Sequence, residues 1–304
     1  MRLLGIPVRL DYSWFLVFAL LTWVLASDYY PAEFGDWPTA RYWLTGAVTA
    51  VLFFASLLLH ELGHSVVALR YRMPVRGITL FIFGGVAQIG VEPPSAMAEF
   101  LIALAGPLVS FALALALFVS QPLLGGLAPL LGIARYLAYM NFAVALFNLI
   151  PGYPLDGGRV LRAIVWAVTG DMRKATVVAA RVGRGFAFLF MSVGVWQALT
   201  GDLGGGLWIA FIGWFLDGAA RAQIAQLALQ RLLAGHTVAQ AMKAAPAQAT
   251  PVLEGAKAVG ADTELFTALQ LMDRDGVGEL HVVAAGQVVG TLSREDVLAY
   301  LRRN

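Results

Sequence analysis

The sequence predicts a mainly α-helical, polytopic membrane protein with a membrane-associated β-hairpin and a small C-terminal α/β module. Hydrophobic residues make up 59% of the 304 residues and charged residues only 13%, whereas soluble domains carry about 25% charged residues. About six stretches are long and apolar enough to cross a bilayer. After residue 222 the composition becomes polar. We therefore expect a transmembrane domain at 1–222, a linker at 223–250 and the module at 251–304.

The predicted membrane spans follow one another along the first 222 residues. They lie at about 14–27, 42–68, 97–119, 131–150, 186–200 and 207–222. Basic residues concentrate after the second span and between the fourth and fifth. Because cytoplasmic loops are enriched in Lys and Arg, a multi-pass protein of the cell membrane with both termini in the cytoplasm is predicted. Arg9 and Asp11 interrupt the first apolar stretch, which disfavours a secretory signal peptide.

Composition excludes two classes of function. The chain has no cysteine, so disulfides, thiol catalysis and thiolate metal ligands are excluded. Its formal net charge is only +2, and the basic residues are not gathered into a run interleaved with aromatic residues. The sequence therefore shows no signature of nucleic-acid binding. A metal ion would have to be held by His, Asp or Glu.

The segment GITLFIFGGVAQIG, between the second and third spans, predicts a β-hairpin. It is rich in β-branched and aromatic residues around Gly84–Gly85, where we expect a two-glycine turn. Non-helical backbone at membrane depth is tolerated only where protein or a water-filled cavity covers it. The hairpin is therefore predicted to line a cavity, the alternative being a hairpin at the cytoplasmic surface.

The C-terminal module is predicted to alternate helices and strands. Asp262 is expected to be the N-cap of a helix at about 263–274, and strands are expected at 279–284 and 288–292 around a turn at Gly286. A second helix is expected at 294–302. Before it, Ser293 and Asp296 form the S-x-x-D pattern of a capping box.

The second predicted span contains an H-E-x-x-H motif, His60-Glu61-Leu62-Gly63-His64. On a helix, His64 lies about 40° and Glu61 about 100° from His60, so the three side chains share one arc. Two imidazoles one turn apart can bind a single ion, and the glutamate can reach a water molecule on that ion. Ionic groups at mid-bilayer cost about 2.5–3.5 kcal/mol each. A bound divalent ion offsets that cost, so the motif predicts a metal site.

A catalytic zinc site normally has three protein ligands. The other two histidines, His236 and His281, lie in the polar C-terminal part, so a carboxylate of the membrane domain is expected to complete the site. Asp156 is the best candidate: it lies in NLIPGYPLDGGR, where prolines end the fourth span and glycines let the backbone turn. A helix-capping role for Asp156 is the alternative. Asp217 is a weaker candidate ligand, and Glu99 is interpreted as a charge at a helix start.

At these motifs the chain resembles the site-2 protease family of intramembrane zinc metalloproteases. HELGH matches the family's H-E-x-x-H, NLIPGYPLDGG its second motif, and FGGVAQI its Gly-Gly hairpin. This resemblance covers residues 1 to about 222. The segment VVGTLSREDVLAYL resembles the end of a CBS (cystathionine β-synthase) module, which one subgroup of the family carries.

The resemblance implies a mechanism for the membrane domain. The implied roles are one Zn²⁺ bound by His60, His64 and Asp156, base catalysis by Glu61, and oxyanion stabilisation by Asn148. The implied partners are the lipid bilayer and a transmembrane protein substrate, cut within its membrane segment during regulated intramembrane proteolysis. An unwound substrate could add as a strand to the hairpin edge, where Gly84 and Gly85 would allow close approach.

For the module, the resemblance implies a homodimer through CBS pairing and binding of ATP or another adenine nucleotide at Thr291, Ser293 and Asp296. Three other functions remain open. The first is a CBS-regulated metal-ion transporter, which needs a polar path through a bundle whose outer halves hold few ionisable groups. The second is a membrane-anchored protease with its site in a soluble domain. The third is an inactive relative that only binds membrane partners.

Overall fold

The computed structural model describes residues 2–82, 84–89, 91–244, 257–284 and 287–302. The chain divides into two units, Met1–Arg221 and Ala222–Asn304. Among the described residues, six helical segments are long and apolar enough to cross a membrane. They are Tyr12–Glu33, Thr39–Arg70, Ala96–Leu124, Ala128–Asn148, Met172–Leu199 and Leu203–Leu233.

The first unit contains the helices α1 (Tyr12–Val24), α2 (Tyr30–Glu33), α3 (Thr39–Arg70), α4 (Ala96–Ser120), α5 (Ala128–Asn148), α6 (Asp156–Thr169) and α7 (Met172–Leu199). Helix α8 (Leu203–Leu233) begins in the first unit and continues into the second. A π-helical turn, Leu25–Tyr29, joins α1 to α2, and a 3-10 turn, Gln121–Leu124, follows α4.

The number of predicted spans is confirmed, but two of their bounds are wrong. The fifth span was predicted at 186–200, whereas α7 begins at Met172. Its first half carries Arg173, Lys174, Arg181 and Arg184. These basic residues lower the hydropathy of the segment, so the hydropathy pattern did not reveal that the helix is continuous. The sixth span was predicted to end at 222, whereas α8 continues to Leu233 through residues that favour helix but not membrane.

A four-stranded sheet in the first unit consists of β1 (Arg2–Leu3), β2 (Ile6–Leu10), β3 (Val75–Phe81) and β4 (Gly84–Ile89), in that order. The β2 and β3 strands are parallel, whereas β3 and β4 form the predicted antiparallel hairpin. Buried Ile6, Ile78 and Leu80 pack together, with Leu58 and Leu62 of α3 against them. The hairpin is thus packed on the helix that carries the H-E-x-x-H motif.

The predicted two-glycine turn is wrong. Phe81 pairs with Gly84, so the chain reverses before Gly84, and Gly84 and Gly85 are the first residues of β4. Gly84 has a φ of +120°, which disfavours residues with a side chain. A Cβ on Gly85 would collide with the Glu61 side chain. Glycine is therefore needed at both positions for reasons other than the turn.

The loop before α6 packs closely on α7. The backbone amide of Tyr153 donates to the carbonyl of Ala179 at 3.2 Å. A Cβ on Gly183 would collide with the backbone of Tyr153, and one on Gly158 with the backbone of Gly152. The backbone of this loop therefore contacts the backbone of α7 at Gly183 and that of α6 at Gly158. These contacts hold the start of α6 in place.

The second unit has helices α9 (Val238–Ala241), α10 (Leu265–Asp275) and α11 (Arg294–Leu301). Its strands are β5 (Lys243–Ala244), β6 (Ala258–Gly260), β7 (Glu279–Ala284) and β8 (Gln287–Ser293), in the sheet order β5-β8-β7-β6. The strands and helices predicted for the module are confirmed. The turn predicted at Gly286 lies outside the described residues.

Two predictions for this unit are wrong. Asp262 is not an N-cap: α10 begins at Leu265, because the preceding segment hydrogen-bonds to residues 236–239 instead of joining the helix. The predicted linker at 223–250 is not a linker over its described part. Leu233 and Val238 are fully buried in the core of the unit, and β5 pairs with β8. Residues 245–250 lie outside the described residues.

Candidate active site

The two histidines of the H-E-x-x-H motif lie on the buried face of α3. His60 is 4% exposed and His64 3%. Their Nε2 atoms are 3.2 Å apart. Each buried imidazole therefore needs a hydrogen-bond or metal partner, since burying an unpaired polar group costs free energy.

Asp156, the first residue of α6, meets the histidines across a separation of 96 residues from His60. Its Oδ2 atom lies 3.1 Å from His60 Nε2 and 3.2 Å from His64 Nε2. Among the described residues, these three form the one group of His, Asp and Glu side chains that could hold a metal ion. The structure thus brings the three predicted ligands together.

The donor set fits zinc. Two imidazole nitrogens and a carboxylate oxygen are ordinary zinc ligands, and bonds of about 2.0–2.1 Å in a tetrahedral site space the ligand atoms roughly 3.3 Å apart. The observed spacings of 3.1 and 3.2 Å are close to that value. Three protein ligands also leave the fourth position that a catalytic site needs.

The weaker candidate ligand, Asp217, is engaged elsewhere. Its carboxylate accepts from Arg184 Nε at 2.8 Å and contacts Arg221 Nη2 at 2.5 Å. Glu99 lies in the first turn of α4, as predicted, but it is also fully buried and forms an ion pair with Arg162. Neither carboxylate belongs to the metal-binding group.

Helix α4 contacts both imidazole rings at their Nδ1 atoms and so orients them. His64 Nδ1 donates to the carbonyl oxygen of Ile102 at 2.7 Å, and His60 Nδ1 lies 2.9 Å from Ser110 Oγ. An N–H at Nδ1 leaves the Nε2 lone pair free for a metal, and such outer contacts orient metal-bound histidines in general. Between the two contacts lies Gly106, where a Cβ would collide with both Nε2 atoms.

These contacts were not predicted from the sequence. Gly106 and Ser110 are one turn apart in the third predicted span, and a small residue and a hydroxyl on one buried face are a weak signal of a helix facing a site. Ile102 contributes only its carbonyl group, which no side-chain pattern can reveal.

Glu61 follows His60 directly in α3, beside the candidate metal-binding group, and contacts the hairpin. Its Oε2 atom accepts a hydrogen bond from the backbone amide of Ala87, in β4, at 3.2 Å. Gly85, two residues before Ala87, leaves the space that the Glu61 side chain occupies. The carboxylate therefore has a defined position, as a general base requires.

The predicted oxyanion donor, Asn148, is the last residue of α5. Its amide nitrogen donates to the carbonyl oxygen of Val144 at 3.0 Å. That bond uses one of its two amide hydrogens. The oxyanion role of Asn148 stays a prediction.

In the module, Ser293 and Asp296 form the predicted capping box at the start of α11. Asp296 Oδ2 accepts from the Ser293 amide at 2.9 Å, and Asp296 Oδ1 lies 2.8 Å from Lys243 Nζ. Thr291 lies in β8 between partners on both neighbouring strands, Lys243 and His281. The capping prediction is confirmed, whereas nucleotide binding at these residues stays a prediction.

Comparison with known proteins identifies related chains for both units. The model of peptidase family M50 matches residues 48–128 and 125–192, and the CBS domain model matches residues 250–303. "Putative zinc metalloprotease Rip3" of Mycobacterium tuberculosis is 43% identical over 81% of this chain and 63% of its own length. "Putative zinc metalloprotease sll0528" of Synechocystis sp. is 43% identical over 70% of this chain and 56% of its own length. The chain thus spans less than two thirds of either curated relative.

Among solved structures, the site-2 protease from Methanocaldococcus jannaschii superposes with a TM-score of 0.51 at 30% sequence identity. The match covers 73% of this chain and 93% of that chain. It therefore includes nearly the whole of a solved site-2 protease. Together with the convergence of the histidine pair and Asp156 from two distant motifs, this similarity establishes that the chain belongs to peptidase family M50, the site-2 proteases, with a CBS domain following the protease domain.

Proposed function

We propose that the chain is an intramembrane zinc metalloprotease that hydrolyses peptide bonds within transmembrane segments of membrane proteins. One observation carries the proposal. Three ligand atoms converge to within 3.2 Å of one another beside Glu61, on the buried face of a helix apolar enough to cross a membrane. We therefore expect the substrate peptide bond to reach this centre from within the bilayer.

His60, His64 and Asp156 would hold the zinc ion, which when bound acts as a Lewis acid toward a water molecule and the scissile carbonyl. Glu61 accepts a proton from the attacking water and later delivers it to the leaving amine. The net reaction breaks the C–N bond and adds the elements of water. Asn148 is assigned a hydrogen bond to the oxyanion through its second amide hydrogen.

The hairpin supports a substrate-binding role for the edge of β4. This strand is the last in the sheet order, and no described strand pairs with its second edge. The Ala87 amide on β4 reaches Glu61, so the strand runs directly past the general base. An unwound substrate segment that adds to β4 is therefore placed beside Glu61, with Gly84 and Gly85 at the start of the strand.

Reconstitution in proteoliposomes tests this function. Wild-type protein is incubated with a panel of single-span membrane proteins, and Glu61→Gln serves as the matched inactive form. Fragments that appear with wild type alone support the proposal, and mass spectrometry locates the cleavage site. Equal fragment patterns from the two proteins would refute it. Metal-ion flux into the same liposomes would instead support the transporter.

The zinc ligands are tested separately from cleavage. Asp156→Ala is expected to lose bound zinc, because two imidazoles alone hold the ion far more weakly than three ligands do. Zinc is measured by elemental analysis of purified protein. Stoichiometric zinc in the variant would remove Asp156 from the ligand set.

The proposed orientation, with both termini in the cytoplasm, can be tested on a chain that contains no cysteine of its own. A single cysteine at Lys174, exposed at the start of α7, should react with thiol reagents from the cytoplasmic side. A cysteine at Leu123, exposed in the loop after α4, should react only from the opposite side. The reverse pattern of thiol reactivity would show that both termini lie on the opposite side of the membrane.

For the CBS domain we propose pairing with a second copy of the chain and binding of an adenine nucleotide near Thr291, Ser293 and Asp296. These residues lie close together where β8 ends and α11 begins. Light scattering of the detergent-solubilised chain measures the oligomeric state, and a strictly monomeric chain would exclude pairing. Calorimetric titration with ATP and AMP tests binding, and equal heats from Asp296→Asn would exclude this site.

A further inference from the structure

Beyond the ligands and the base, a buried ion pair connects the two helices that build the metal site. Glu99, in the first turn of α4, is fully buried, and its Oε1 atom contacts Arg162 Nη2 of α6. The Nε atom of Arg159, also on α6, lies 3.8 Å from the same oxygen. Two arginines on one helix thus face one carboxylate on the other.

On each helix, the residue that forms the ion pair is close in sequence to a residue that forms the metal site. Glu99 precedes Ile102, whose carbonyl orients His64, by three residues, or about 4.5 Å of helix rise. Arg162 follows Asp156 by six residues, or about 9 Å. One end of the pair is therefore tied to the helix that holds the histidines, and the other to the helix that holds the carboxylate.

The start of α6 is also held by contacts with α7. The loop before Asp156 is fixed against α7 through Tyr153 and Gly183, as described above. These contacts act at the start of the helix, whereas the rotation and tilt of α6 against α4 depend on the side chains packed between the two helices. Arg162 is one of these side chains, and its guanidinium also lies 5.6 Å from the centre of the Tyr153 ring.

We infer that the Glu99–Arg162 ion pair is a positioning device for the third zinc ligand: it holds α6 against α4 so that the Asp156 carboxylate meets the two histidines. Neither residue touches the metal-binding atoms. Ligands must be held to within about 0.5 Å, which a supporting contact between the two helices can provide. The inference rests on the proposed zinc centre but not on proteolysis.

The alternative is that the pair stabilises the fold and nothing more. The chain offers a matched control for that role. Asp217 of α8 and Arg184 of α7 form a second inter-helix pair, with Nε and Oδ1 2.8 Å apart, and Asp217 is 5% exposed. That pair joins two helices that supply no metal ligand. Removing the Asp217 carboxylate charge is expected to lower stability without changing a contact between α4 and α6.

The test measures zinc affinity of the full-length chain in detergent by competition with a chromophoric chelator. Glu99→Gln is expected to weaken zinc binding about 10- to 100-fold, the range typical of contacts that orient metal ligands. Arg162→Lys, which keeps the charge but loses the planar guanidinium, is expected to weaken it less. Asp217→Asn should bind zinc as wild type does. The unfolding midpoint is recorded for all three variants.

A second readout separates positioning from stability. Cobalt is substituted for zinc, and its visible absorption reports the ligand geometry. The spectrum is expected to change in Glu99→Gln and to stay unchanged in Asp217→Asn. If positioning acts through Asp156, Glu99→Gln should have no further effect on metal affinity in an Asp156→Ala background, because coupled residues are not additive.

Zinc affinity within twofold of wild type in Glu99→Gln, with an unfolding midpoint lowered as in Asp217→Asn, would overturn the inference. Should Glu99→Gln fail to fold, wild-type affinity and cobalt spectrum in Arg162→Lys would overturn it equally. A wild-type chain that binds no zinc would overturn it as well. A chain that binds zinc as described but cleaves no membrane substrate would sink the proposed function and leave this inference standing.

Discussion

The carboxylate of Glu61 accepts a hydrogen bond from the backbone amide of Ala87, with 3.2 Å between the oxygen and the nitrogen. This contact joins the C-terminal third of a long helix, α3, to the last strand of the small sheet. It means that the proposed base and the strand proposed to bind substrate contact each other directly. In the proposed mechanism, the Glu61 side chain therefore connects catalysis with substrate binding.

Glu61→Gln is expected to abolish cleavage while zinc and fold are retained. The amide occupies the same volume and can still accept from Ala87, but it cannot take a proton from water. Loss of a general base lowers the rate by about 100- to 10,000-fold. Cleavage of a reconstituted substrate and the zinc content of the same sample are both measured.

Glu33→Gln is the control for that experiment, since Glu33 pairs with Arg135 at a partly exposed position. It should cleave as wild type does. A Glu61→Gln protein with more than a tenth of wild-type activity would contradict the role of Glu61 as the base.

Gly85→Ala is expected to lower cleavage by displacing Glu61. A Cβ at this position would collide with the Glu61 side chain, so the carboxylate or the strand must move. Zinc binding should be preserved, because the atoms nearest to a Cβ at Gly85 belong to Glu61 and Leu80 and not to a proposed zinc ligand. Gly185→Ala, in the interior of α7 with open space around its Cβ position, should be neutral or slightly stabilising. Normal cleavage by Gly85→Ala would show that Glu61 does not depend on β4.

The candidate site could be predicted from the sequence where its signal was local. His60, Glu61 and His64 follow from one helical turn, and Asp156 follows from a carboxylate at a broken helix end. That Asp156 reaches the histidines across 96 residues is a property of helix packing, which no spacing encodes. The turn of the hairpin was misplaced, because glycines mark backbone freedom without saying what requires it. At Gly85 the requirement is the Glu61 side chain.

The hydrogen bonds to the proposed zinc ligands from α4 could not be predicted from the sequence, for a different reason. Ser110 is a small polar residue in an apolar span, and Ile102 acts only through its backbone. Glu99 was predicted as a helix-start charge, which its position in α4 confirms. Its second role, pairing with Arg162, depends on which helix packs beside α4.

Ser110→Ala is expected to weaken zinc binding by about 10- to 100-fold, because His60 loses the partner of its Nδ1 atom. The imidazole is then free to rotate or change tautomer. Affinity is measured by chelator competition. Ser56→Ala is the matched control, since Ser56 is also buried in the membrane domain but bonds only to the carbonyl of Phe53. Equal zinc affinity in the two variants would mean that the Ser110 hydroxyl does not orient His60.

Asp296 is expected to make the stability of the CBS domain depend on pH. Burial raises the pKa of this carboxyl, but the hydrogen bonds from Lys243 and Ser293 lower it by more, so the net pKa lies below its ordinary value. A carboxyl with a lowered folded-state pKa contributes stability that is fully present above its unfolded-state pKa of about 3.9. That stability is lost as the pH falls through the folded-state pKa. We therefore expect the stability of the CBS domain to fall as the pH drops below about 4.

Hydrogen exchange of the α11 amides in the full-length chain measures this effect. Asp296→Asn should lower their protection at neutral pH by about 1 kcal/mol, because the charged partner of the Ser293 amide and of Lys243 is lost. It should also reduce the loss seen on acidification, because the titrating group is gone. Asp273→Asn is the control: Asp273 pairs with Arg294 at an exposed position, where ion pairs contribute little. If Asp296→Asn retained the full acid dependence of wild type, another carboxyl would be responsible for it.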